Sequence, residues 1–275
     1  MPRIADADAP TAWAQAHGLE LTPETRPVVA RYLAAARRLR ALGALCGALL
    51  PTLVDLVLNG RVQMLGFGAD GNHAPFQGPV TILLGYLAGA VWAEVSLARP
   101  LAADRRQASL VRRELRDYLP RRLLHAQRAL GATAVLGMLL AGLVPFDPAH
   151  AAEPSWEAVL AGAGIVAAFT VGLELLERWL VRRAQPFTSP ALVAADDAIR
   201  AQSVHSVAGS GIALLLFMCS GLALALTQAD VDALRLTMWL PAAVAFGLGL
   251  RACGDVAGRA WRVRRQVAEG PGPAT

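Results

Sequence analysis

The chain has 275 residues, 55% of them hydrophobic and 17% charged, with a net charge of +5. At a mean hydropathy of +0.42 it is too apolar for a soluble domain of this size, so the composition predicts an all-α, polytopic membrane protein. Every basic residue is arginine. With Ala, Leu, Gly and Val so abundant beside them, that usage reads as coding bias and carries little weight as evidence for phosphate recognition.

Residues 1–25 have neither the apolar core nor the small-residue cleavage site of a secretory signal, and are expected to be a partly disordered cytoplasmic tail. The stretch RPVVARYLAAARRLRALG (26–43) follows, with its arginines partly on one helical face. It opens a transmembrane domain predicted over 26–265, and a disordered tail is expected over 266–275. Within the domain six apolar segments stand out, at about 41–59, 79–98, 129–145, 157–181, 207–226 and 236–254. Each is roughly 17–25 residues, enough at about 1.5 Å rise per residue to cross a hydrocarbon core of about 30 Å. Cys46, Cys219 and Cys253 all fall in apolar runs without CxxC spacing and read as small apolar fillers, so no disulfide, metal or cofactor is expected.

Arginine asymmetry sets the expected orientation. Arg26, Arg31, Arg37, Arg38 and Arg40 precede the first span, nine arginines lie between 99 and 128, Arg182, Arg183 and Arg200 flank the loop after the fourth, and four more follow the sixth. The alternate loops, 60–78, 146–156 and 227–235, hold one, none and one. Basic loops stay on the cytoplasmic side, which predicts six spans in the plasma membrane with both termini inside.

The nine-arginine stretch is therefore explained by topology. It lacks the aromatic side chains of a base-stacking surface, and no nucleic-acid partner is expected. Within it, QASLVRRELRDYL (107–119) places Leu110, Val111, Leu115, Tyr118 and Leu119 on one side of a helix, and Pro120 ends the pattern. Two readings stand: an interfacial helix held on the anionic inner leaflet by snorkelling arginines, or a docking helix that presents Leu110, Arg112, Leu115, Arg116 and Leu119 to a cytoplasmic partner.

Spans 1 and 3 begin alike, RALGALCGALLP at 40 and RALGATAVLGML at 128. An 80-residue offset also superposes Glu94 on Glu174, Asp117 on Asp197, His125 on His205 and Gly131 on Gly211. If that duplication is real, the fold consists of three parallel hairpin repeats whose returning spans end in an acid beside arginines. Charged groups in or near a membrane are the default functional candidates, and here they are Asp55, Glu94, Glu174 and Asp255. The competing structural reading is interfacial i,i+4 pairing, Glu174 with Arg178 and Asp255 with Arg259. His125 and His205 are candidates for pH response. Gly43 with Gly47, and Gly85 with Gly89, form GxxxG faces suited to close helix contact, within the chain or in a homo-oligomer.

The run LVAADDAIRAQSVHSVAG (192–209), preceded by VRRAQP, resembles uncharacterised multi-pass membrane proteins of high-GC actinobacteria, a resemblance that brings no activity with it. In architecture, six spans with a basic amphipathic entry helix and a helical loop between spans 2 and 3 are similar to ABC-2-type permease subunits, whose loop helix docks on a separate ATPase. The short segment between spans 5 and 6 departs from that family's pattern. No HExxH, GxSxG, Walker A or GxGxxG motif occurs in a supporting context, so no enzyme is expected. The expected function is a transport-associated subunit without its own ATPase; the alternative is a scaffold or regulatory protein that binds anionic lipid or a cytoplasmic partner through its arginine-rich loops.

Overall fold

A computed structural model describes residues 9–59, 77–98, 113–145, 155–183, 189–227 and 229–258. Among them the helices are α1 (Ala9–Ala16), α2 (Thr25–Asn59), α3 (Gln77–Ala98), α4 (Leu115–Tyr118), α5 (Arg121–Ala141), α6 (Trp156–Arg182), α7 (Pro190–Leu226), α8 (Asp232–Thr237) and α9 (Trp239–Gly258). The starts of α6 and α7 follow from their sequences. Ser155 accepts a hydrogen bond from the Ala158 amide and Ser189 from that of Leu192, while Pro190 occupies the first turn of α7, where its missing N–H costs nothing.

Among the described residues, four stretches are long and apolar enough to cross a membrane: Arg121–Ala141, Trp156–Arg182, Pro190–Leu226 and Asp232–Ala252. The apolar stretch of α3, Val80–Ser96, is shorter. These helices keep large apolar side chains on the outside, among them Leu136, Leu140, Ile165, Leu175, Leu240 and Leu248. An apolar exterior around a packed interior marks a protein built for lipid. The exposed Trp92 and Trp179 lie toward one end of the bundle, and Trp156 and Trp239 toward the other, as interfacial anchors do.

The helix at the centre is α7, which touches α2, α3, α5, α6 and α9. It is apolar all round over its second half and accordingly buried there. Small residues let neighbours approach it: Gly211 receives the Leu173 side chain, and Gly249 of α9 meets the Phe217 ring. Ser220 donates to the Ala242 carbonyl at 2.7 Å, a polar tie between α7 and α9 inside an apolar interface.

The closest helix pair is α2 with α3, and the two GxxxG faces account for it. A Cβ at Gly43 would run into the Gly85 carbonyl, one at Gly47 into Thr81, one at Gly85 into Gly43 and one at Gly89 into Leu39, all backbone contacts. The glycines therefore pack within the chain, backbone against backbone.

Both α2 and α7 outrun a bilayer. At 35 and 37 residues they are about 52 and 55 Å long, against a hydrocarbon core of about 30 Å. Their surplus halves come together with α1 and the end of α3 around a second core of Trp13, Val29, Tyr32, Ala93, Ala198 and Ile199. Residues 9–16, assigned from sequence to a partly disordered tail, are thus helical and anchored, with Trp13 stacked on His17 at 4.2 Å between ring centroids. This platform lies at the end of the bundle where the arginine-bearing termini of α2, α5, α6 and α7 gather.

Among the described residues, the helix expected over 107–119 covers only Leu115–Tyr118. Residues 107–112 lie outside the described residues, and Glu114 is extended (φ −109°, ψ 152°), so α4 starts only at Leu115. Glu114 and Asp117 form a capping box, and the Glu114 amide donates to Asp117 Oδ2 at 2.8 Å. Leu119 is fully buried, and Leu115 and Tyr118 pack with it against α6 and α7. Of the apolar face expected to meet lipid or a docking partner, Leu115, Tyr118 and Leu119 are spent on this chain's own helices.

The glycine crossing predicts an asymmetric mutational response. Gly85→Ala should destabilise the protein by roughly 1–3 kcal/mol, the usual cost of overpacking, whereas Gly164→Ala, where an added methyl meets open space, should leave the detergent melting temperature unchanged. Equal melting temperatures for the two variants would contradict the packing.

Candidate functional site

The platform meets the bundle at a buried cluster of charges. On α7, Asp196, Arg200 and Ser203 fall at i, i+4 and i+7 and so share one face. Arg200 is 1% exposed and Glu94, arriving on α3, is likewise 1% exposed, too deep for either to be hydrated. Such burial is sustainable only with partners, and each carboxylate oxygen has one. Arg183, just beyond α6, donates to Glu94 Oε2 at 3.0 Å and to Asp196 Oδ1 at 3.3 Å. Arg200 donates to Asp196 Oδ2 at 2.8 Å. Ser203 donates to Glu94 Oε1, and the Tyr32 hydroxyl of α2 lies 3.1 Å from Ser203 Oγ and 3.3 Å from the same carboxylate oxygen.

Arg200 also closes α6. Its Nη1 donates to the carbonyls of Val181 at 2.6 Å and Arg183 at 2.7 Å, groups that a helix end leaves without partners. A cation at the carboxyl end of a helix is further stabilised by the helix dipole. Three chain segments, α3, α6 and α7, are thereby joined through alternating charges, and α2 is joined to them through the Tyr32 hydroxyl. Burial and the neighbouring Glu94 carboxylate push the Tyr32 phenol well above its ordinary pKa, so it remains a donor. Arg40 lies close by, its guanidinium 6.0 Å from the Tyr86 ring centroid and within the field of Glu94.

Two satellite pairs surround this cluster. Asp197 receives Arg113 at 3.4 Å and the Tyr118 hydroxyl at 3.2 Å, tying α4 to α7. Burial and Asp197 push the Tyr118 phenol up to about 12. Between α5 and α6, Glu174 pairs with Arg178 at 3.2 Å, as its i,i+4 spacing implies, and with Arg128 as well, whose Nε is 3.0 Å away. Away from the charges, an apolar cleft of about 520 Å³ separates α3 from α6 and is lined by Leu84, Leu87, Val91, Trp92, Phe169 and Leu176 among others. Its walls are hydrocarbon, and acyl chains are the solvent suited to it.

Of the residues singled out from sequence, Glu94 occupies the centre of the cluster and Glu174 the α5–α6 pair. Asp55 lies on α2 and Asp255 on α9, with side chains outside the described residues. His125 is exposed on α5, while His205 is buried on α7 with Nδ1 3.0 Å from the Ala201 carbonyl. The two histidines of the proposed repeat therefore occupy unlike surroundings. Leu110 and Arg112 lie outside the described residues; Leu115 and Leu119 pack inward, and Arg116 is exposed and pairs with Glu114 at 3.1 Å. Tyr32, Arg183, Asp196, Arg200 and Ser203 were not foreseen. The signal available for three of them was their i, i+4, i+7 spacing in LVAADDAIRAQSVHSVAG. Among the described residues, no three His, Cys, Asp or Glu side chains are grouped to hold a metal ion.

Removing one member of a buried pair strands the other. Glu94→Ala is expected to cost about 3–5 kcal/mol, measured by unfolding in mixed micelles, whereas Glu174→Ala, from the partly exposed pair, should cost about 1 kcal/mol or less. Similar losses in the two variants would remove the distinction between them. Comparison of the chain with protein-family models, with curated proteins and with solved structures finds no match.

Proposed function

We propose that this protein is a non-enzymatic membrane subunit associated with transport, permease-like or accessory, whose working surface is the platform built from α1, the first halves of α2 and α7, and the end of α3. In this reading six helices span the plasma membrane and both termini and the platform are cytoplasmic. The platform itself carries the proposal: merely spanning a bilayer does not require helices some 20 Å longer than its core, nor a second apolar core outside it. A surface clamped to the transmembrane helices by buried charges suits the transmission of a partner's motion, and for a subunit of the ABC-2-type architecture that partner is a separate ATPase. The clustering of arginine-bearing helix ends supports the orientation.

One observation favours the scaffold alternative. Arg26, Arg31, Arg37 and Arg38 are exposed along α2, and each such arginine near an anionic leaflet is worth about 1 kcal/mol of lipid attraction. The two readings separate on affinity purification of the full-length protein from its native membrane in mild detergent, comparing the unaltered chain with an Arg31→Gln, Arg38→Gln variant. The transport reading expects a nucleotide-hydrolysing partner with the unaltered chain, reduced at least tenfold with the variant. Recovery of anionic phospholipid without such a partner would discard it in favour of the scaffold.

A further inference from the structure

A second acid lies inside the bundle, one turn along α6 from Glu174. Glu177 is fully buried, and neither of its oxygens has a hydrogen-bond partner. The polar side chain beside it is Gln127 of α5, itself buried, whose Oε1 is also without a partner. Three acceptor oxygens thus meet without a hydrogen bond among them, and the donor beside them is the Gln127 amide N–H, which cannot serve all three. A carboxylate and an amide carbonyl only accept, and an unpaired ionised carboxylate in such surroundings is far costlier than a neutral acid.

The charged groups around Glu177 do not relieve it. On α6, Glu174 is a like charge. The cations within reach, Arg178 on α6 and Arg128 on α5, both pair with Glu174. From α7 this stretch of α6 receives Val204, Val207 and Ala208, and from α4 Leu119 and Tyr118, whose hydroxyl is turned to Asp197.

We propose that Glu177 and Gln127 form a proton-binding site within the α5–α6 interface, with the proton carried on Glu177 and donated to Gln127 Oε1. In that form acid and amide pair reciprocally. The Glu177 O–H donates to the amide oxygen and the Gln127 N–H donates to the other Glu177 oxygen, so one proton, taken from water, satisfies all three acceptors. Loss of the proton sets a second negative charge beside Glu174, where Arg128 and Arg178 are the available counter-ions. Protonation of Glu177 is thereby coupled to the ion pair that joins α5 and α6. The inference rests on this packing alone and is independent of the transport reading.

Infrared spectroscopy of the full-length protein in lipid nanodiscs tests it. At neutral pH the spectrum should contain a protonated-acid carbonyl band that shifts down in D2O, disappears on alkaline titration and is absent from Glu177→Gln. Gln127→Leu should keep the band but move it up, toward the frequency of an acid with no hydrogen bond; this variant decides the matter if Glu177→Gln does not fold. Identical acid-region spectra for the unaltered protein and Glu177→Gln, or an unmoved band in Gln127→Leu, would overturn the site. So would a band that appears only when sodium and potassium are replaced by choline, since a metal cation would then be the occupant.

Discussion

Everything at the arginine-rich end depends on the cost of burying charge. Glu94, Asp196 and Arg200 are all but inaccessible to water, and any of them alone would be worth several kcal/mol against folding. They persist because each closes another's valence: Arg183 bridges the two acids, Arg200 holds Asp196 and the last carbonyls of α6, and Ser203 and Tyr32 complete Glu94. Such a cluster adds little net stability over an apolar core of the same shape, but it tolerates only one relative placement of the helices that supply it. Its value is registry.

That registry links two layers with different physics. In the apolar bundle, helices associate through close contact of small residues, and the α2–α3 glycine crossing and the Gly211 and Gly249 contacts on α7 are instances. Beyond it, where α2 and α7 emerge, association is by ordinary hydrophobic burial of Trp13, Tyr32 and Ile199. Because α7 runs through both layers, platform and bundle share one continuous helix.

Much of this was legible in the sequence. Residue hydropathy located apolar segments that the structure places within helices, and the GxxxG spacing identified the faces of closest approach. The i,i+4 order of Glu174 and Arg178 was a local signal and the pair is present. What escaped was non-local. Arg183 follows α6 in sequence and looks like a topological arginine, yet its partners are 89 and 13 residues away. Arg200 likewise counted as a loop charge, because nothing local says that α7 extends two turns and more beyond its apolar half. Leu119 had the spacing of a residue facing lipid or a docking partner, and only the proximity of α6 and α7 makes it a core residue. Four of the six apolar segments fall largely in stretches long and apolar enough to cross a membrane, whereas hydropathy read the platform poorly, since the platform uses the same arginines that topology already explains.

The central claim is that the extended half of α7 folds as one unit with its apolar half, held there by the buried charges. Hydrogen exchange on the full-length protein in nanodiscs addresses it directly, with peptides over 190–206 compared with those over 207–226. The account predicts comparable protection in both, and protection lost from 190–206 alone when Arg183 is replaced by Gln. Rapid exchange over 190–206 in the unaltered protein would contradict it.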